Sequence, residues 1–454
     1  METFGIKALQ LIAALGLLVI IHEFGHYILA RAFGIKVDRF YLFFNPWFSL
    51  FKWKPKPPKK RKLNKDGTEK ASWRDTTYGI GWIPLGGYVS IAGMIDETQG
   101  KDQLAAEPQP WEFRSKPAYQ RLLVMLGGVI MNFLLAIVIY IVIAFVWGEK
   151  TIEYRNVSEG FDYSPSALAA GFQNGDIPLT ADGKTVTGRE PLMDIVAAKK
   201  VEVLRNKKDT VTISLPEDFP FRISDDGGFM SMRYPVKISQ LVAGEEAIKA
   251  GFKEGDHFIM VDSVATPSFT EFQAELKKRG GQPTLFTIKR AGKEMQIEAT
   301  PTDDGRLGFA LVPPTDLYPV TIIDYSLLQS VPKGMSNGVT TFGNYVSSLK
   351  YLFSKRGAES LGGFGSIGAM FPERWSWLSF WETVAFLSII LAFMNIIPIP
   401  ALDGGHVMFL LWEVISGKKV NEKVLEMAQF AGMLFLIALL LYANANDVYR
   451  FFIK

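Results

Sequence analysis

The chain has 454 residues, 48% of them hydrophobic and 21% charged, which is too apolar for an ordinary soluble protein and too polar for one immersed in lipid throughout. A formal charge of +3, with no stripe of Arg and Lys interleaved with aromatics, excludes nucleic acid as an expected partner. With no cysteine, disulfides and thiolate-bound metals are excluded as well.

In chain order, the first apolar run extends from about Ala8 to Ala30 and lacks a small-residue cleavage site behind it, so it is expected to be a retained anchor. Leu122 to Trp147 is 26 residues without a charge, enough to cross a bilayer with some tilt. Thr383 to Ala401 contains Pro398 and Pro400, which predict a helix broken there and resumed after Asp403 in "HVMFLLW". Met427 to Ala443 is a shorter fourth span. Arg31, Lys36 and Arg39 follow the first span, and Arg114, Lys116 and Arg121 precede the second, so the loop between them is expected in the cytoplasm. Its run "KWKPKPPKKRKLNK" (Lys52 to Lys65) reads as a solvated basic flank beside membrane lipids. Both termini, and the long segment between the second and third spans, then lie outside. The aromatic stretch "RWSWLSFW" (Arg374 to Trp381) suits an outer interfacial belt.

The outer segment repeats itself. "ALAAGFQNGDIPLTAD" (Ala167 to Asp182) and "AIKAGFKEGDHFIMVD" (Ala247 to Asp262) share seven of sixteen positions at a constant offset of 80. Each copy predicts a short helix ending in Gly, a Gly-Asp turn, a β-rich stretch and a second helix. The pattern resembles PDZ domains, particularly the circularly permuted kind attached to bacterial proteases.

The chemistry is concentrated in "HEFGH" (His22 to His26) inside the first span. Residues four apart on a helix lie one above the other, about 6 Å along the axis, so His22 and His26 can share one zinc. Glu23 sits roughly 100° round, where it can take a proton from water without ligating. Polar groups at membrane depth cost on the order of 2.5–3.5 kcal/mol each, which argues against chance. A catalytic zinc asks for a third protein ligand. "NIIPIPALDGGH" (Asn395 to His406), at matching depth on the third span, offers Asp403 or His406, whereas His257 belongs to the second outer repeat and is expected to be a surface or turn residue.

Together, "HEFGH", the loop motif "IPLGGYV", the paired repeats and "N-x-x-P-x-P-x-L-D-G-G-H" resemble the site-2 protease family of intramembrane zinc metalloproteases over nearly the whole chain. The resemblance implies a multi-pass α-helical membrane protein with four transmembrane helices, a membrane-associated β-loop and two tandem extracytoplasmic PDZ-like α+β domains. The expected segments are 1–35, the first span; 36–117, the cytoplasmic loop; 118–148, the second span; 149–228 and 229–314, the PDZ-like pair; 315–380, a linker with an amphipathic region; 381–417, the broken third span; and 424–446, the fourth. It also implies Zn2+ held by His22, His26 and Asp403, Glu23 as general base, and Asn395 holding the substrate backbone or oxyanion. His406 becomes a supporting residue in that reading. One departure is visible: before the third span the family often has a Gly-Pro element, where this chain has "LGGFGSIG" (Leu361 to Gly368).

"YGIGWIPLGGYVSI" (Tyr78 to Ile91), rich in Gly and β-formers and broken by Pro84, cannot be a fifth spanning helix. It resembles the family's β-loop, and a strand edge near Gly86, Gly87 and Tyr88 could hold a substrate extended. The family implies single-span membrane proteins as substrates, such as an anti-sigma factor or a leftover signal peptide, with the PDZ-like pair as a gate that excludes bulky outer domains. The expected location is a bacterial inner membrane, with the repeats in the periplasm and the site towards the cytoplasmic face. The competing classes are a membrane scaffold or chaperone with a structural zinc, and a zinc transporter. Glu23 argues against the first, and the lack of inverted repeats against the second.

Overall fold

A computed structural model describes residues 2–56, 71–84, 86–94, 107–189, 192–226, 228–242, 245–348 and 362–449. The basic run from residue 57 onward, Leu85 and Leu361 lie outside the described residues. The chain divides into two compact units, 148–323 and the remainder.

In the larger unit, α1 (Glu2–Ala32) and α2 (Ala118–Trp147) are the first two helices long and apolar enough to cross a membrane. Pro117 precedes α2 and left-handed Gly148 follows it, which accounts for both ends. Next comes α3 (Leu327–Ser348), with Pro332 inside it, which lies so close to α2 that a Cβ on Gly334 would fall 2.4 Å from the Ile141 amide nitrogen. The short α4 (Phe364–Ala369) covers most of the glycine-rich "LGGFGSIG". The third span begins at α5 (Trp377–Ile396), six residues before the apolar run, because Ser376 caps it by accepting from the Ser379 amide at 3.3 Å. It stops where Pro398 forces Ile397 to extended backbone, φ −61° and ψ 137°. The chain resumes in α6 (Asp403–Ser416), closed by left-handed Gly417, and α7 (Glu422–Val448) follows with Asn421 as its cap.

Between α1 and α2 the loop folds into a four-stranded sheet of β1 (Val37–Leu42), β2 (Phe51–Trp53), β3 (Thr77–Ile80) and β4 (Tyr88–Ile91), in the order β2-β3-β1-β4. β1 runs parallel to β3 and antiparallel to β4, with Phe40 opposite Val89 and Tyr41 opposite Tyr88. The sheet is wider than the sequence suggested, since β1 and β2 lie outside the expected β-loop of Tyr78 to Ile91.

In the smaller unit the two repeats have matching sheets. Ile177–Ala181 and Lys200–Arg205 are the central strands of one, and His257–Val261 and Thr284–Arg290 of the other. Phe172, Phe219 and Phe229 fill the first core; Phe258, Phe272 and Phe286 fill the second. The Gly-Asp signature has a structural purpose in both. Asp176, 1% exposed, takes both forks of Arg205 at 2.9 and 2.7 Å, and Asp256, fully buried, takes those of Arg290 at 2.7 and 2.6 Å. The expected boundary at 228 is crossed: Met230–Met232 pairs back onto Phe161–Tyr163, because the first repeat needs that strand to cover its aromatic core. Likewise Thr321–Ile323 returns to Glu149–Thr151, beyond the expected end at 314.

Candidate metal centre

Helical spacing brings His22 and His26 of α1 to one face, with ring centroids 4.8 Å apart and planes at 82°. Their Nε2 atoms are 3.2 Å apart. The break before α6 delivers Asp403 to the same point, its Oδ2 lying 3.1 Å from His22 Nε2 and 3.2 Å from His26 Nε2. Side-chain exposures of 12%, 8% and 19% make this a nearly dry cluster. Beyond these two imidazoles, no described residue offers the Asp403 Oδ2 a hydrogen-bond partner. Bonds of 2.0–2.1 Å in a tetrahedral zinc site separate ligand atoms by roughly 3.3 Å, so the three observed separations fit that ion.

The two imidazoles are held from behind. His26 Nδ1 meets the Val124 carbonyl oxygen at 2.8 Å, which can only accept, so this nitrogen carries the proton and Nε2 presents its lone pair. His22 Nδ1 faces the Asn132 side chain at 3.1 Å. Gly127 and Gly128 allow α2 to approach this closely: a Cβ on Gly128 would fall 2.5 Å from His22 Cε1 and 2.6 Å from His26 Nε2. Gly25 in α1 faces the Gly127 carbonyl in the same way, at 2.1 Å.

Glu23 is half-buried beside the cluster, and the Val89 amide of β4 donates to its carboxylate. A Cβ on Gly87 would fall 2.7 Å from Val19 Cγ1 and 3.6 Å from Glu23 Cγ, so the loop lies directly against α1. Gly86 packs against the Phe44 ring, where a Cβ would come to 2.7 Å. The Tyr88 side chain turns into its own sheet, stacking on Tyr41 at 5.3 Å and donating to Asn45 Oδ1 at 2.9 Å, so only its backbone is available at the edge. Asn395, in the last turn of α5, is half-buried, and its side chain makes no hydrogen bond with a described residue. His406 is drawn elsewhere, to Gln429 Nε2 of α7 at 3.1 Å. His257 opens its strand in the other unit, half-buried between Lys237 and Lys289; burial and those cations push its imidazole below the ordinary value.

Sequence reasoning passed over Gly127, Gly128 and Asn132. The available signal was two adjacent glycines and one amide inside an otherwise aliphatic, charge-free span. It looked for the family's glycine element before the third span, where Gly363 and Ser366 instead donate backbone amides to Asp447 of α7, each at 2.9 Å.

The sequence pattern of Peptidase family M50 matches residues 10–57 and 67–439. Among its relatives, the chain is 29% identical to the Regulator of sigma E protease of Haemophilus influenzae, covering 97% of this chain and 98% of that one. It is 28% identical to a putative zinc metalloprotease of Vibrio cholerae and to Protease RseP of Yersinia pestis, each match covering 97% of both chains.

Proposed function

The chain belongs to peptidase family M50, the site-2 type of zinc metalloprotease working inside the membrane, and on that premise we propose that it hydrolyses peptide bonds within the spans of single-span membrane proteins. The observation that carries the reading is the convergence of His22, His26 and Asp403, with Glu23 alongside, on a helix long and apolar enough to span a bilayer.

In this reading His22 and His26 would hold zinc through Nε2, and Asp403 through its carboxylate. Bound zinc supplies a Lewis acid that brings water within reach of deprotonation near neutral pH. Glu23 would take a proton from the attacking water and return it to the leaving amide nitrogen. Because Glu23 is held by the Val89 amide, the base and the edge of the loop sheet are fixed to one another. The backbone at Gly86, Gly87 and Tyr88 pairs with a substrate that has been drawn out of its helix, and Gly87 lets that backbone lie against α1 beside Glu23. The Asn395 amide holds the substrate backbone or the developing oxyanion.

The two repeats act as PDZ-like gates that admit substrates already trimmed of bulky outer domains. Relatives named as regulators of sigma E support a membrane-bound anti-sigma factor as one substrate, with leftover signal peptides as another. The basic residues flanking α1 and α2 support an inner-membrane location with the site towards the cytoplasm and the repeats in the periplasm.

The test is cleavage of a single-span substrate with a trimmed outer domain by wild type and Glu23→Gln, with bound zinc quantified in both. The variant is expected to keep zinc and lose cleavage. Retained cleavage would remove Glu23 from the mechanism, and stoichiometric zinc without cleavage in wild type would favour a structural metal.

A further inference from the structure

Asn132 is completely buried in α2, and its main chain is fixed independently of its side chain: the carbonyl accepts from Ser388 Oγ of α5 at 2.7 Å. Its amide is left facing His22 Nδ1, with Nδ2 at 3.1 Å, while Oδ1 is buried without a partner among the described residues. An orphaned amide oxygen in a dry interior keeps the desolvation cost of burial with nothing to offset it, so its presence here needs a reason.

The two histidines supply one. A zinc bound through Nε2 requires a proton on Nδ1, and therefore an acceptor opposite Nδ1. His26 has the Val124 carbonyl. For His22 the position is occupied by a primary amide, whose two ends are nearly isosteric and interchange by a half-turn. With Nδ2 forward, His22 Nδ1 accepts and its Nε2–H points at Asp403 Oδ2, which suits a centre without metal. With Oδ1 forward, Nδ1–H donates and the Nε2 lone pair is freed.

We propose that Asn132 is a positioning residue for zinc, its side-chain oxygen accepting from His22 Nδ1–H and so selecting the tautomer that ligates. This rests on the metal reading above. An amide, unlike a carboxylate or a hydrocarbon, serves His22 in both states.

Zinc affinity of the full-length chain in detergent, measured by chelator competition, separates the possibilities when joined to the visible spectrum of the cobalt-substituted protein and the melting temperature in excess chelator. Asn132→Leu removes the acceptor and should weaken zinc about 10- to 100-fold while altering the cobalt spectrum. Asn132→Asp keeps an acceptor at the same reach and should restore both. Should the Leu variant fail to fold, the Asp variant decides alone: a folded Asp variant that loses zinc overturns the proposal. So does a Leu variant with wild-type affinity and spectrum, or parallel losses of zinc and metal-free melting temperature in both variants. A wild-type chain without stoichiometric zinc would overturn the metal reading itself.

Discussion

Adding one methyl group at Gly128 should damage the metal centre more than the fold. Carbon atoms pack best at 3.5–4.0 Å, and the new Cβ would stand 2.5 Å from His22 Cε1, 2.6 Å from His26 Nε2 and 2.7 Å from His22 Nδ1, a shortfall of about 1 Å on two rings at once. Zinc ligands tolerate displacements of only about 0.2 Å. Withdrawing α2 instead would break the Val124–His26 contact and part the backbones that meet at Gly25 and Gly127. Gly128→Ala should therefore lower zinc affinity at least about 10- to 100-fold in chelator competition. The stability change should be smaller, because overpacking of about 1–3 kcal/mol is offset by up to about 1 kcal/mol of helix propensity. Gly16→Ala is the matched control, since its Cβ meets Phe43 Cζ at an ordinary 3.4 Å, and it should leave zinc binding unchanged. Wild-type affinity in Gly128→Ala would show that the rings can yield, and that α2 does not constrain them.

In the other unit, Asp256→Ala strands the Arg290 fork and the Lys253 amide that donates at 2.8 Å. Breaking a buried pair costs about 3–5 kcal/mol, and with Arg290 24% exposed the lower end applies. Hydrogen exchange along Thr284–Arg290 in the intact protein should accelerate by about two orders of magnitude, and unchanged protection would refute the assignment. His257 should make the same repeat sensitive to acid. Its folded imidazole, lowered by burial and by Lys237 and Lys289 against the weaker pull of Glu159, refuses a proton that the unfolded chain binds below about 6.5. Stability therefore falls as pH drops through that value towards the folded one, and it is flat above. Exchange of the strand His257–Val261, compared with His257→Gln at each pH, should diverge only below about 6.5; parallel curves would exclude the histidine.

What could be read from the chain depended on how local the determining contacts are. His22, Glu23 and His26 were legible because their geometry is fixed by four residues of one helix, and the spans because a bilayer demands length. The third member of the cluster was legible only through the family resemblance, which pointed to Asp403: spacing alone left Asp403 and His406 open, one turn apart beyond the same break, and in the structure Gln429, on another helix, takes His406. The end of α7 was hidden for a similar reason. Asn444 and Asp447 look unlike a membrane helix until their side chains are seen accepting from the backbone of Phe364, Gly363 and Ser366. The repeat was plain at an offset of 80, yet its edges were not, because the closing strands arrive from residues that carry no repeat signal.

The loop before Asp403 shows why a helix without a ligand belongs to the site. Ala401 stands at φ 77°, a left-handed conformation that costs a residue with a Cβ about 1 kcal/mol or more and persists only where its surroundings over-determine it. Those surroundings are supplied by α7: Gln429 Oε1 accepts the Ala401 amide at 2.6 Å, and Gly432 lies so close to the loop that a Cβ would fall 1.9 Å from the Pro400 carbonyl oxygen. The prolines that end α5 free these backbone groups from helical pairing, and α7 takes up the Ala401 amide at a fixed position. Asp403, two residues on, inherits that position. The carboxylate is thus aimed by a strained loop that a neighbouring helix holds, while the glycines of α2 give the two imidazoles their place, so each member of the cluster owes its position to residues outside it.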